Sequence, residues 1–356
     1  MAAGFADTAP EAVLAALFLP FALGALQLPA DGRVLFLGAR AGPRVRELAQ
    51  PEWLCEQSFA PFAAELGRCG LRVGEPAADE TFPLVLLLPR RQREETRALL
   101  ARALTHLAPG GTLLACVANN AGAKSVQADL ARLAGSPQHL SKHKCRAFWA
   151  SPAPGAVDQT LLDAWLALDD PRITAAGYWS RPGLFAWDRI DPGSALLAEE
   201  LPPDLAGRVA DLGAGYGYLG AQVLARCPRV GVLHLYEAER RALDPARQNL
   251  RQAQARGQGQ AVQCDVRWHD VTLGLPESYD AIVSNPPFHQ GRADLPQLGQ
   301  AFIASAADAL HADGRLLLVA NRHLPYESLL RARFGEVRAL AERDGYKLIS
   351  AQGPRP

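Results

Sequence analysis

The chain has 356 residues, 49% hydrophobic and 21% charged, which suits about two globular domains and excludes a disordered chain. Lys plus Arg and Asp plus Glu both number 37, so the net charge is zero; a strongly basic nucleic-acid wrapper is excluded, a local basic patch is not. Six cysteines (Cys55, Cys69, Cys116, Cys145, Cys227 and Cys264) stand at irregular spacing without a C-x-x-C pair, which reads as reduced thiols rather than a disulfide framework.

Ala12 to Pro29 is rich in Ala, Leu and Phe, but no Lys or Arg precedes Arg33, and Asp7 and Glu11 stand where a signal peptide carries its basic region. Pro20, Gly24 and Gln27 disfavour a membrane span. The stretch is expected to be a core helix and turn of a cytoplasmic protein. Gly32 to Gly42 reads as an apolar strand entering a glycine turn, and Phe82 to Pro89 as a second buried strand. Arg91 to Leu107 has helical spacing, and Thr112 to Ala118 is a third strand. Strands alternating with helices imply a parallel sheet covered on both faces.

Two basic clusters, Arg90 to Arg102 and Lys142 to Arg146, are candidate phosphate contacts. The other reading of each is a solvated surface. Ser151 to Tyr178 reads as a linker with a helix at Asp158 to Leu168. The aromatic segment Trp179 to Phe185 is expected to pack over a cleft or between domains.

The second half starts the same order again. Gly207 to Gly213 repeats the strand and turn of Gly32 to Gly38, and Ala281 to Ser284 repeats Leu84 to Leu87. Val319-Ala320-Asn321 is taken to repeat Val117-Ala118-Asn119. An internal duplication explains this. The copies differ where chemistry would lie: Asp211 corresponds to Phe36, and Asn285-Pro286-Pro287-Phe288 to Leu88-Pro89-Arg90-Arg91. The first copy is therefore expected to fold like its twin without catalysing. The expected division is 1–155 degenerate domain, 156–190 linker and 191–356 catalytic domain.

Asp211-Leu212-Gly213-Ala214-Gly215-Tyr216-Gly217 runs from a strand into a helix. Its glycines allow close approach of a ligand. The leading acid disfavours pyrophosphate and suits a cationic amino-acid group such as that of S-adenosylmethionine. Glu237 ends the next strand, where an acid can accept both ribose hydroxyls. Asp270, or less favourably Asp265, can take the adenine amino group, with Trp268 or Val271 lining the adenine pocket. Val337 to Ala341 and Tyr346 to Ala351 read as a closing hairpin.

Tyr279 to Val283 is a buried strand stopped by Ser284-Asn285-Pro286-Pro287-Phe288-His289. Proline fixes φ and removes the amide donor, so the loop is rigid. An Asn side chain, a Pro carbonyl and an aromatic ring at a strand's carboxyl end suit a planar group bearing an exocyclic NH2.

The carboxyl half resembles the class I methyltransferase fold. Asn285-Pro286-Pro287-Phe288-His289 with Gly291, followed by Val319-Ala320-Asn321 and Leu324-Pro325-Tyr326, resembles the bacterial ribosomal RNA guanine-N2 methyltransferases, small subunit methyltransferase C type. The duplication matches that family's architecture, so the resemblance spans nearly the whole chain. It implies two tandem Rossmann-like α/β domains. The second is a seven-stranded mixed sheet with an antiparallel last strand, and the first is degenerate. It implies S-adenosylmethionine as cofactor, held by Asp211, Gly213, Gly215, Gly217, Glu237, Asp270 and Asn285, without a metal. It implies methyl transfer to guanine N2 of ribosomal RNA by a monomer, with Asn285, Pro286, Pro287 and Phe288 as the catalytic loop. His289 would be a structural hydrogen bonder or a base. The Asn-Pro-Pro-aromatic loop also occurs in enzymes acting on 23S ribosomal RNA, DNA adenine and protein glutamine. These acceptors, and a non-enzymatic role in RNA assembly, stay open at this point.

Overall fold

The computed structural model describes residues 8–257, 262–287, 289–290, 293–294 and 296–355. The chain divides into two compact units, Met1–Asp170 and Pro171–Pro356.

The first unit opens with helices α1 (Thr8–Leu17) and α2 (Leu19–Ala22). The core order follows: β1 (Val34–Leu37), α3 (Pro43–Leu48), β2 (Trp53–Glu56), α4 (Ala60–Arg68), β3 (Arg72–Val73) and β4 (Phe82–Leu87). Then come α5 (Arg93–Thr105), β5 (Leu107–Ala118), α6 (Ala123–Ala134), β6 (Gln138–Lys142), β7 (Cys145–Ala150) and α7 (Gln159–Leu166). The sheet order is β3-β2-β1-β4-β5-β7-β6. Its first five members are parallel, and β7 lies antiparallel to β5. Strand β1 is buried at every residue because helices cover both faces. Leu35 and Leu37 face a core with α5, α6 and α7, while Val34 and Phe36 face another with α1.

The second unit begins with a small hairpin, β8 (Arg172–Ile173) and β9 (Trp179–Ser180), and α8 (Pro192–Glu199). Next are β10 (Ala206–Leu212), α9 (Tyr218–Arg226), β11 (Arg229–Glu237), α10 (Leu243–Arg256), β12 (Gln263–Trp268) and β13 (Tyr279–Ser284). A short pair, β14 (His289–Gln290) and β15 (Ala293–Asp294), precedes α11 (Pro296–Ala309), β16 (Leu310–Asn321), α12 (Glu327–Arg333), β17 (Phe334–Arg343) and β18 (Tyr346–Pro354). The order β12-β11-β10-β13-β16-β18-β17 reproduces the first sheet position by position. The last strand in the chain, β18, runs antiparallel to β16, as expected.

Sheet register aligns the copies. Leu37 pairs with Leu87 as Leu212 pairs with Ser284, so Phe36 corresponds to Asp211 and Leu88 to Asn285. Ala118 pairs with Cys145 as Asn321 pairs with Tyr346. Asn321 therefore corresponds to Ala118, one residue before the Asn119 expected from sequence.

Four strands of the first unit, β2, β3, β6 and β7, escape the sequence reading. The cluster Lys142 to Arg146 is the tip of the β6–β7 hairpin, with His143 and Lys144 at φ 53° and 56°. The matching β17–β18 tip holds Asp344 and Gly345 at φ 52° and 82°. Several arginines of the first basic cluster, read as phosphate contacts or a solvated surface, form ion pairs within the unit. Arg93 and Arg97 both bind the buried carboxylate of Asp129, at 3.3 and 3.0 Å. Arg102 pairs with Glu56, and Arg90 with Glu95 at 3.2 Å. Helix α7, read as linker, buries Leu162 and Trp165 in the first unit's core and is capped by Asp158. Among the described residues no helix is long and apolar enough to cross a membrane.

Candidate active site

Strand β13 is apolar from Ala281 to Val283 and ends at Ser284, whose hydroxyl donates to the Leu212 carbonyl at 2.9 Å and ties the ends of β13 and β10 together. The chain then leaves the sheet as Asn285-Pro286-Pro287. Pro286 is buried and Pro287 exposed. The Asn285 amide nitrogen donates to Asp191 Oδ2 and to Ser194 Oγ, both at 2.8 Å. Asp191 is the N-cap of α8, accepting the Ser194 amide at 2.9 Å, with Pro192 in the first helical position. Gly193 seats that turn against Tyr346, whose ring carbons lie 2.8 Å from where a Cβ would stand. Phe288 and Gly291 lie outside the described residues, as does the side chain of His289.

The glycine turn lies beside this loop. A Cβ on Gly213 would stand 3.7 Å from Pro287 Cδ and 3.2 Å from the Phe302 ring. Gly213, Gly215 and Gly217 have φ of 71°, 54° and 84°, which favours glycine at each. A Cβ on Gly217 would stand 3.1 Å from Ala246, whereas one on Gly215 would meet nothing within 4 Å. The close-packed glycine thus lets the α9 turn sit on α10, and the open one leaves bare backbone uncovered.

Asp211 is wholly buried, with Oδ2 accepting the Gly220 amide at 3.0 Å at the start of α9. Its Oδ1 has no hydrogen-bond partner. Burial pushes this carboxyl up from 3.8 to about 7, opposed by the Gly220 hydrogen bond. A buried acceptor left unmatched is unfavourable, and a cationic amino-acid group lodged in the turn would satisfy it. Glu237 accepts the Gly215 amide on Oε2 and the Glu239 amide on Oε1, each at 2.7 Å. Burial raises its pKa, and the two backbone amides oppose the rise. The His269 amide donates to the Glu237 carbonyl at 2.9 Å, bringing the next loop alongside. There Asp270 caps a short turn, its Oδ1 accepting both the amide and the hydroxyl of Thr272. Trp268 donates its indole N–H to the Ala238 carbonyl at 2.8 Å. Asp265 is a salt-bridge partner of Arg267 on the edge strand β12.

The structure therefore gathers Asn285, Pro287 and the glycine turn with Glu237, and sets Asp211 beneath them. Leu324 and Tyr326 are buried packing residues. Asp191 and Ser194 were missed. Asp-Pro-Gly-Ser is a readable helix start, but nothing local says that it faces a loop some ninety residues away. The segment Trp179 to Phe185 packs on this unit. The Asn249 side chain bonds the Trp179 amide and carbonyl as well as the Tyr216 carbonyl, and Leu184 clusters with Tyr216 and Ala242.

The first unit keeps the frame without these groups. Gln57 stands where Glu237 does and accepts the Phe59 amide in the same way, but its amide nitrogen donates to the Ala39 carbonyl. Arg40 replaces the open Gly215, with its guanidinium 3.4 Å from the Phe62 ring centre.

The family described as methyltransferase small domain matches residues 176–350. The chain is 30% identical over 328 residues to the ribosomal RNA small subunit methyltransferase C of Stutzerimonas stutzeri, covering 90% of this chain and 94% of that one. It is 34% identical over 327 residues to the protein of the same name in Pseudomonas aeruginosa strain LESB58, with the same coverage. Among solved structures, the T. thermophilus 16S rRNA N2 methyltransferase, solved with AdoMet and guanosine, superposes with a TM-score of 0.75 at 24% identity, covering 98% of this chain and 93% of that one. Likeness at that level over whole chains, on a fold and a loop already read as those of an amino-group methyltransferase, is kinship: the chain belongs to the ribosomal RNA small subunit methyltransferase C family.

Proposed function

We propose that this methyltransferase moves the methyl group of S-adenosylmethionine to the exocyclic N2 of a guanosine in 16S ribosomal RNA, acting as a monomer in the cytoplasm. The observation that carries the reading is the Asn285 side chain, held by its nitrogen at Asp191 and Ser194 so that its oxygen is the group left for an acceptor amine. The T. thermophilus protein of the same fold was solved with the two ligands that the reading requires.

When bound, the cofactor would supply a sulfonium methyl, whose transfer leaves a neutral thioether. The glycine turn would take its amino-acid end above Asp211, Glu237 its ribose hydroxyls and Asp270 its adenine amino group. The guanine N2 lone pair is delocalised into the ring and is a poor nucleophile. Asn285 Oδ1 and the Pro286 carbonyl accept its two N–H bonds, which aligns the nitrogen with the methyl and favours a pyramidal geometry. The same fixed dipoles would stabilise positive charge as the new N–C bond forms and the C–S bond breaks, after which one N2 proton passes to solvent. Phe288 stacks on the base, which has to leave its own stack to enter.

The test is transfer of radiolabelled methyl to unmethylated small-subunit RNA, with the product digested to nucleosides. N2-methylguanosine is expected from the wild type, and Asn285→Ala should lose roughly 100-fold or more in kcat, the scale of one preorganised transition-state contact. Label in another nucleoside, or undiminished transfer by the variant, would refute the reading.

A further inference from the structure

We propose that Asp191, assisted by Ser194, is a positioning residue for methyl transfer that fixes which way the Asn285 amide faces. The inference rests on the function proposed for Asn285. An Asn side chain can rotate by half a turn and exchange its oxygen for its NH2, reversing what it offers a substrate. Here one face of the amide meets Asp191 Oδ2 and Ser194 Oγ, both at 2.8 Å. A carboxylate only accepts, so the flipped amide would set its own oxygen against another acceptor at hydrogen-bond range. The two amide protons are matched by two acceptors, and the oxygen is committed to the opposite side. The carboxylate hydrogen bond also polarises the amide and strengthens its oxygen as an acceptor for positive charge growing on the substrate amine.

The device is fixed on rigid parts. Asp191 Oδ2 also receives the Ser194 amide at 2.9 Å, which pins its own rotamer. Gly193 lets the turn close on Tyr346, where any Cβ would collide. Helix α8 buries Leu196, Leu197 and Ala198 in the core of the unit. The anchor therefore approaches the loop from an element unconnected to it in sequence.

Asp191→Asn tests this cleanly, because Asn caps a helix about as well as Asp, yet its side-chain oxygen is neutral and its amide can itself turn to face Asn285. With small-subunit RNA, kcat is expected to fall about 10- to 100-fold, the scale of a charge-assisted hydrogen bond. The Kd for S-adenosylmethionine and the KM for RNA should stay within about twofold, and melting within about 2 °C. In an Asn285→Ala background the same change should lower kcat no further, since Asp191 acts through that side chain. An unchanged kcat, or a full second loss on top of Asn285→Ala, overturns the assignment. If Asp191→Asn fails to fold, Ser194→Ala is scored by the same criteria, with an expected loss of about threefold to tenfold.

A readout without substrate separates this inference from the one it rests on. In the 15N-labelled full chain, the Asn285 side-chain NH2 pair is identified by its absence in Asn285→Ala. Slow solvent exchange in the wild type, about tenfold faster in the Asp191 variant, supports the tether. Rapid exchange in the wild type overturns it. If the tether holds and wild-type protein makes no N2-methylguanosine, the proposed reaction fails on its own.

Discussion

Asp211 has no exposed surface, and burial lifts its carboxyl from 3.8 to about 7. A folded-state value above the unfolded one means that the native chain holds the proton more tightly. The stability this contributes is complete below about pH 4 and is lost as pH rises through about 7. Asp211→Asn removes the titration, so its melting temperature relative to wild type should climb between pH 5 and pH 8. A difference flat with pH would show that the acid is not so placed. Glu237 differs in that both of its oxygens are already matched by backbone amides. Glu237→Ala would leave the Gly215 amide without its acceptor and loosen the turn. The expected result is at least about a tenfold weaker Kd for S-adenosylmethionine by calorimetry, of order one charged hydrogen bond. The acids and glycines were legible because a rigid strand-to-helix turn needs particular residue types at particular positions. What each acid touches was not, since Glu237 and Gly215 meet only when β10 and β11 pair.

Strands were legible where a longer apolar run was bounded by clear turn residues; burial alone was not enough, since β2 and β7 are mostly buried and escaped the reading. Strand β4 lies inside the first sheet and reads as an apolar run, and β13 lies inside the second with Ala281 to Val283 apolar after the exposed Asp280. The edge strand β6 is almost wholly exposed and polar, and β3 has two residues, so neither left a pattern to read. Helix α8 was passed over because its meaning lies in what it faces. Helix α11 offers a sharp test of packing. Gly299 lies in its first turns, and a Cβ there would collide with the Tyr326 hydroxyl. In an open helix Gly to Ala stabilises by about 1 kcal/mol. Here Tyr326 is fully buried and cannot yield, so Gly299→Ala should destabilise by about 1–3 kcal/mol in urea unfolding, the usual range for overpacking. A more stable variant would contradict the contact.

For the molecule as a whole, the duplication was legible from a few strand and turn segments because both copies must solve the same backbone problem. Its exact register was not, and the shift at Asn321 appeared only with the paired strands. The first unit carries Phe36, Arg40, Gln57 and Leu88 at the positions of Asp211, Gly215, Glu237 and Asn285. Calorimetry should accordingly find one S-adenosylmethionine per chain. A second site of comparable affinity would refute the inert reading of the first unit, and Gln57→Glu alone should not create one, because Arg40 remains where the open glycine would be.

Two sheets of identical strand order in one chain also set a sorting problem during folding, since either central strand could enter either sheet. The pair Phe36 and Asp211 bears on it. Phe36 packs edge-on against Phe18, 6.5 Å away, in an apolar layer with Trp53. Were β10 to take the place of β1, a carboxylate would enter that aromatic layer, at a cost of several kcal/mol. The reverse exchange would put a phenyl ring where the first turn of α9 bonds an acid. The residue proposed to serve the cofactor in one half thus also marks the two halves as different, so that each strand is discouraged from entering the wrong sheet.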